Sequence, residues 1–178
     1  MPTSPAMAEG ILLPKLPRGV LLTEDERIAR LSQAVPQILE VVRGETDAIA
    51  VQATLACLLW ETFAQASFCG FYRTVTPRML AVGPYHGTMG CLRIAFERGI
   101  CGRAARTAET QLIEDVNREP DHIACDDAAR SELVVPILAG GEVKAVLDLD
   151  SYELAAFSER EARLLEELLP KAFASVVW

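Results

Sequence analysis

The chain has 178 residues, 51% hydrophobic, 6% aromatic and 24% charged, the size and make-up of one globular domain with enough apolar mass to bury a core. Its 17 Lys and Arg stand against 25 Asp and Glu, a formal net charge of −8; phosphate binding needs a basic patch, so nucleic acid and anionic membrane are excluded as partners in favour of a small molecule or a protein. No apolar run approaches the roughly 18 residues of a membrane span, and the first residues lack the basic and apolar regions of a secretory signal, so the expected location is the cytoplasm.

Residues 1–22 hold Pro2, Pro5, Pro14 and Pro17 without helical or strand period, which predicts a flexible tail with Ile11 to Leu13, or Leu21 and Leu22, as docking points. The domain proper is expected over 23–178. Thr23 with Glu26 forms a capping box, and Ile28, Leu31, Val35, Ile38, Leu39 and Val42 recur at helical spacing until Gly44, with a kink expected at Pro36. A second helix is predicted from about Asp47 to Phe63, its apolar stripe running beside Cys57.

From Phe68 the period changes. FCGFYRTV and MLAVGPY are short, rich in β-branched and aromatic residues, and separated by Thr76, Pro77 and Arg78, which reads as a hairpin. The next strand holds Cys91 and Arg93 on one face. Gly99 and Gly102 bracket Cys101 and open a short helix, GRAARTA, whose first turn is expected to favour thiolate through exposed backbone N–H groups. TQLIEDV is a further strand and NREPDHIACDDAA a polar loop. Leu133–Leu138 and Val143–Asp150 flank Gly140-Gly141 as a second hairpin. A capping box at Ser158 and Glu161 opens the last helix, which a bend or break is expected to interrupt at Pro170. This order predicts an α+β domain: a mostly antiparallel central sheet with N-terminal and C-terminal helices packed on it.

Candidate chemistry centres on Gly90–Asp127, which carries Cys91, Cys101 and Cys125. Five cysteines, an odd number without CxxC spacing, do not make a structural disulfide framework in a reducing compartment. Cys57 and Cys69 lie in an apolar helix and a strand and read as buried filler. Cys125 sits in a polar, acid-rich loop where filler makes little sense, and it is the thiol most suited to function. Asp126 and Asp127 follow it and disfavour thiolate; backbone N–H donors, His122 or a change on substrate binding are the available offsets. His122 and Cys125 are three apart, but the paired close spacings of zinc sites are absent, so neither a metal nor a cofactor is expected.

A second constellation is acidic. In LDLDS, alternation sends Asp148 and Asp150 to one face. If the preceding turn spans three residues, Gly140 to Glu142, Glu132 falls opposite Asp150 and the three acids converge; a two-residue turn sends Glu132 the other way.

The run GCLRI, GICG, EDV, HIACD, SELVVP and VLDLDS, with GETD, GFY and GPYHG upstream, resembles the free methionine-(R)-sulfoxide reductases, single GAF-domain enzymes. The resemblance covers roughly Gly44 to the C-terminal helix. It implies a GAF-like fold and thiol-dependent reduction of free methionine (R)-sulfoxide, with Cys125 as nucleophile, Cys91 as resolving cysteine and Cys101 as a second thiol able to enter disulfide exchange. It also implies that Glu132, Asp148 and Asp150 act in catalysis and substrate binding, that Phe68 and Tyr72 border the substrate, and that thioredoxin or a similar dithiol recycles the enzyme. The candidate assembly is a homodimer. Two departures stand out: the family usually has tryptophan where Phe68 stands, expected to weaken the apolar wall, and often glutamine where His86 stands, expected to alter a polar contact. The alternative is a non-catalytic GAF sensor of a small ligand whose cysteines report redox state; such sensors are usually joined to an output domain.

Overall fold

The computed structural model describes residues 13–123 and 125–178. Helices α1 (Glu24–Val41) and α2 (Ala48–Thr62) precede strands β1 (Phe68–Thr76), β2 (Met79–Gly87) and β3 (Arg93–Ala95). Helix α3 (Gly99–Thr107), strand β4 (Gln111–Ile113), a single 3-10 turn (Val116–Arg118), β5 (Ser131–Ala139), β6 (Glu142–Ser151) and α4 (Glu159–Ala172) follow. The six strands form one antiparallel sheet in the order β3-β2-β1-β6-β5-β4, as the predicted α+β fold requires. Among the described residues no helix is long and apolar enough to cross a membrane.

Helix starts follow their local chemistry. Both expected capping boxes form: the Thr23 side chain accepts from Glu26 N while Glu26 accepts from Thr23 N, and Ser158 and Glu161 do the same for α4. Neither helix stops at its proline, since α1 continues past Pro36 to Val41 and α4 past Pro170 to Ala172. Tertiary packing of their apolar faces outweighs the single missing N–H.

Strand alternation divides the core in two. Cys69, Phe71, Leu133, Val135, Leu147 and Leu149 point to the face covered by α1, α2 and α4. Their neighbours Phe68, Tyr72, Val134 and Val146 point to the other face, against Ile100, Cys101 and Ala104 of α3. Glu132, Asp148 and Asp150 share the period of this second set, so the acids lie under α3 and the loops beside it.

The N-terminal segment expected as a tail is partly docked. Residues 1–12, including Ile11, lie outside the described residues, but Leu13 packs against the larger core cluster. The Arg18 guanidinium lies 3.5 Å from the Trp60 ring and donates to the carbonyls of Trp60, Phe63 and Ala66. It thereby satisfies carbonyls at the C-terminal end of α2.

One buried ion pair joins the first and last helices. Arg27 donates from Nε and Nη2 to the two carboxylate oxygens of Glu161 at 2.9 and 3.1 Å, and the Glu161 side chain is fully buried. Removing one partner of such a pair strands a buried charge and costs about 3–5 kcal/mol, here together with the α4 cap. Glu161→Ala is expected to lower Tm by roughly 6–20 °C in a thermal melt followed by circular dichroism; a drop under about 3 °C is incompatible with this role.

Candidate active site

The convergence of the acids depends on a feature of the β5–β6 hairpin that the sequence hides. The turn is the two-residue kind, with Gly140 and Gly141 both at positive φ of 62° and 80°, and Ala139 pairs with Glu142. Taken alone this register would have turned Glu132 away from the aspartates. The pairing then slips: Leu138 faces Val143 but Ile137 faces Ala145, leaving Lys144 as an extra residue on β6. This bulge restores the register in which Glu132 pairs with Asp150. The expected link between a two-residue turn and a diverted Glu132 is therefore corrected, because the ladder shifts after the turn.

On β1, Phe68 pairs with Asp150 and Gly70 with Asp148. The acids thus form the floor of a small cavity of about 30 Å3 that Phe68, Tyr72, Cys101 and Cys125 also line. Phe68 stacks on Tyr72 and on Tyr85, with ring centroids 6.2 and 5.3 Å apart. Gly90 lets the loop bearing Cys91 settle on these rings, since a Cβ there would meet the Tyr72 hydroxyl at 2.6 Å.

Burial dominates the electrostatics. Glu132 and Asp148 are 6% and 5% exposed. Desolvation, and then the charge of Asp148, raises Glu132 and Asp150 well above the carboxylate range. Asp148 is raised by desolvation to about 7, with the neighbouring Cys101 and Glu132 acting in the opposite direction by favouring its charged form. Burial thus biases all three carboxyls toward their protonated forms. A cluster of carboxyls all raised by burial is a common feature of functional sites.

Cys125 is joined to Cys91 by a disulfide, with α-carbons 5.3 Å apart. Cys91 itself is not among the residues lining the cavity; it meets Cys125 from the β2–β3 loop. The acidic neighbour Asp126 is turned to other partners: its carboxylate accepts from Ala128 N and from the Tyr152 hydroxyl, each at 3.0 Å. The Ala128 bond leads in holding Asp126 below the usual range. His122 lines the cavity, but burial lowers its pKa, so it brings no positive charge at neutral pH and is not the offset considered above.

Cys101 does lie in the first turn of α3, yet the expectation that this turn favours thiolate is reversed. The thiol is 4% exposed and donates to Glu132 Oε1 at 3.9 Å. Burial, then the charges of Asp148 and Glu132, pushes its pKa well up. Gly102 sets its depth, since a Cβ there would collide with the Ala95 carbonyl. Cys69 is fully buried on the opposite sheet face, whereas Cys57, expected to be filler, is exposed, because the residue beside the α2 stripe faces outward. His86 stacks on Trp60 at 6.0 Å and does not line the cavity. Lining residues that the sequence did not single out include Thr88, Met89, Ile94 and Ile123.

A six-stranded antiparallel sheet with three helices on one face and an acid-floored cavity closed by loops on the other is the architecture of a GAF domain, and the model of the GAF domain family matches residues 46–172. The chain is 39% identical to protein YtsP of Bacillus subtilis, over 78% of this chain and 87% of that one. It is 36% identical to the free methionine-R-sulfoxide reductase of Escherichia coli, over 72% and 78%. The structure of the Neisseria meningitidis free methionine-R-sulfoxide reductase in complex with its substrate superposes with a TM-score of 0.81 and 38% identity, covering 88% of this chain and 93% of that one. The chain belongs to the GAF-domain family of free methionine-(R)-sulfoxide reductases.

Proposed function

We propose that the protein reduces free methionine (R)-sulfoxide to methionine with Cys125 as nucleophile and Cys91 as resolving cysteine. The observation that carries this reading is the bridging of these two sulfurs at the edge of a cavity floored by the buried Glu132 and Asp148 together with Asp150. A sulfoxide oxygen leaves only when protonated, and we assign that proton to Glu132, whose burial favours its neutral form. The Cys125 thiolate attacks the protonated sulfoxide at sulfur, and the hydroxyl then transfers to the Cys125 sulfur as the original S–O bond and the new S–S bond break, so that methionine departs and a sulfenic acid is left on Cys125. The Cys91 thiol condenses with it, releasing water and forming the disulfide. Two thiols are thereby oxidised for one sulfoxide reduced. An external dithiol of the thioredoxin kind reopens the bridge by exchange, and the reducing cytoplasm that maintains such dithiols is the compartment we assign.

Asp148 pairs with the substrate α-ammonium, and Phe68 with Tyr72 forms the apolar wall for its methyl group. A cavity of about 30 Å3 takes one or two waters, not an amino acid. The bridged form is therefore expected to bind methionine sulfoxide at least about tenfold more weakly than the reduced form; equal affinities by calorimetry would contradict this. The reading itself is tested with purified protein, a dithiol and each epimer of free methionine sulfoxide. Turnover of the R epimer alone is expected, with little on a sulfoxide inside a peptide. Tight binding without turnover would identify a sensor instead.

A further inference from the structure

The cavity floor holds a set of donors that the proposed reduction does not use together. One ligand atom from each of Cys101, Glu132 and Asp148 lies within 4.8 Å of the others, and all three residues are buried. A tetrahedral zinc-type ion, with metal–sulfur and metal–oxygen bonds of about 2.3 and 2.0–2.2 Å, needs its donors about 3.5 Å apart, a small inward movement of side chains. Independently, Oδ1 of Asp148 is buried without a hydrogen-bond partner, although buried polar atoms are nearly always paired. The cavity beside it, about 30 Å3, suits one ion with a water.

We infer that Cys101, Glu132 and Asp148 form a binding site for one thiophilic divalent cation of the zinc class, which competes with the substrate. One sulfur and two carboxylate oxygens favour zinc or cobalt over magnesium or calcium, whose preferred ligands are all oxygen. The cation takes the place of the protons that the thiol and Glu132 hold, and its charge compensates a floor that is otherwise costly to ionise. Cys101 needs no redox change to serve, because it is free while Cys91 and Cys125 are bridged. The ion would occupy the place assigned above to the substrate ammonium, so metal occupancy blocks turnover.

Cobalt(II) added to the fully oxidised protein tests the site. There Cys101 is the one free thiol among the residues lining the cavity, and binding is read without turnover, so the result stands or falls apart from the reductase reading. One cobalt per chain is expected, with a thiolate-to-cobalt charge-transfer band that zinc abolishes and magnesium does not. Cys101→Ser should lose the band, Cys57→Ser should keep it, and Asp148→Asn should weaken cobalt binding by roughly 10- to 100-fold. Near-ultraviolet circular dichroism checks that each variant is folded, and Cys101→Ala replaces Cys101→Ser if that one is not. Absence of the band in the unmodified protein, or its persistence without Cys101, overturns the inference. For the reduced enzyme, zinc is expected to raise the KM for the sulfoxide without lowering kcat; inhibition that substrate cannot relieve would overturn the competition.

Discussion

Cys125→Ser is expected to reduce turnover of free methionine (R)-sulfoxide by on the order of 10^4-fold or more, the scale at which removing a nucleophile leaves only binding and electrostatics behind. A serine hydroxyl is not ionised at neutral pH and cannot hold the oxygen as a sulfenic acid. Cys91→Ser should behave differently. Cys125 can still attack and release methionine, but its nearest remaining partner at the cavity is Cys101, 4% exposed and donating to Glu132. Burial and the neighbouring acids keep that thiol protonated, and thiolate is the form that attacks in exchange. One methionine per chain should therefore appear in a burst, followed by a steady rate roughly tenfold or more below normal, with a sulfenic acid trappable on Cys125 by a carbon nucleophile and read by mass spectrometry. Equal bursts from both variants would show that the two sulfurs do not divide the roles in this way.

The features legible from sequence are those set by local rules. The capping residues Thr23 and Ser158 each mark a helix start because a side-chain oxygen satisfies nearby N–H groups whatever the rest of the chain does. Alternation in LDLDS likewise fixes Asp148 and Asp150 to one face without knowledge of their partners. Legibility ends where a property depends on several elements meeting. The Lys144 bulge leaves no sequence signature, yet it decides whether Glu132 joins the aspartates. The behaviour of Cys101 was expected from its helix terminus alone, a contribution of about 1 kcal/mol. Burial and three acids brought in from β5 and β6 outweigh it. Cys57 shows the reverse error: its sequence neighbourhood is apolar, but a helix has an outer side, and the residue lies there.

Asp148→Asn should make the protein less active and, at alkaline pH, more stable. The ordinary aspartate value is 3.8, and burial raises Asp148 to about 7. Below about pH 4 the carboxyl is protonated in folded and unfolded chains alike. Between there and about 7 the unfolded chain has released the proton while the folded chain retains it, so stability declines as pH rises, by up to roughly 1.4 kcal/mol per pH unit. Asparagine removes that decline. The variant should therefore melt several degrees above the unmodified protein at pH 8 and within a degree or two of it at pH 4. On the role proposed for it, its KM should rise by roughly 10- to 100-fold through loss of the charge assigned to the ammonium. Glu132→Gln shares the stabilising sign, since its pKa is raised first by the same burial, but it should act on kcat, by roughly 10^2- to 10^4-fold, because it removes the proton and leaves the ammonium's partner in place. A neutral side chain at either position suits folding better than the native acid. Glu132 and Asp148 are therefore held against the preference of the core, the pattern of groups kept for a site and not for stability.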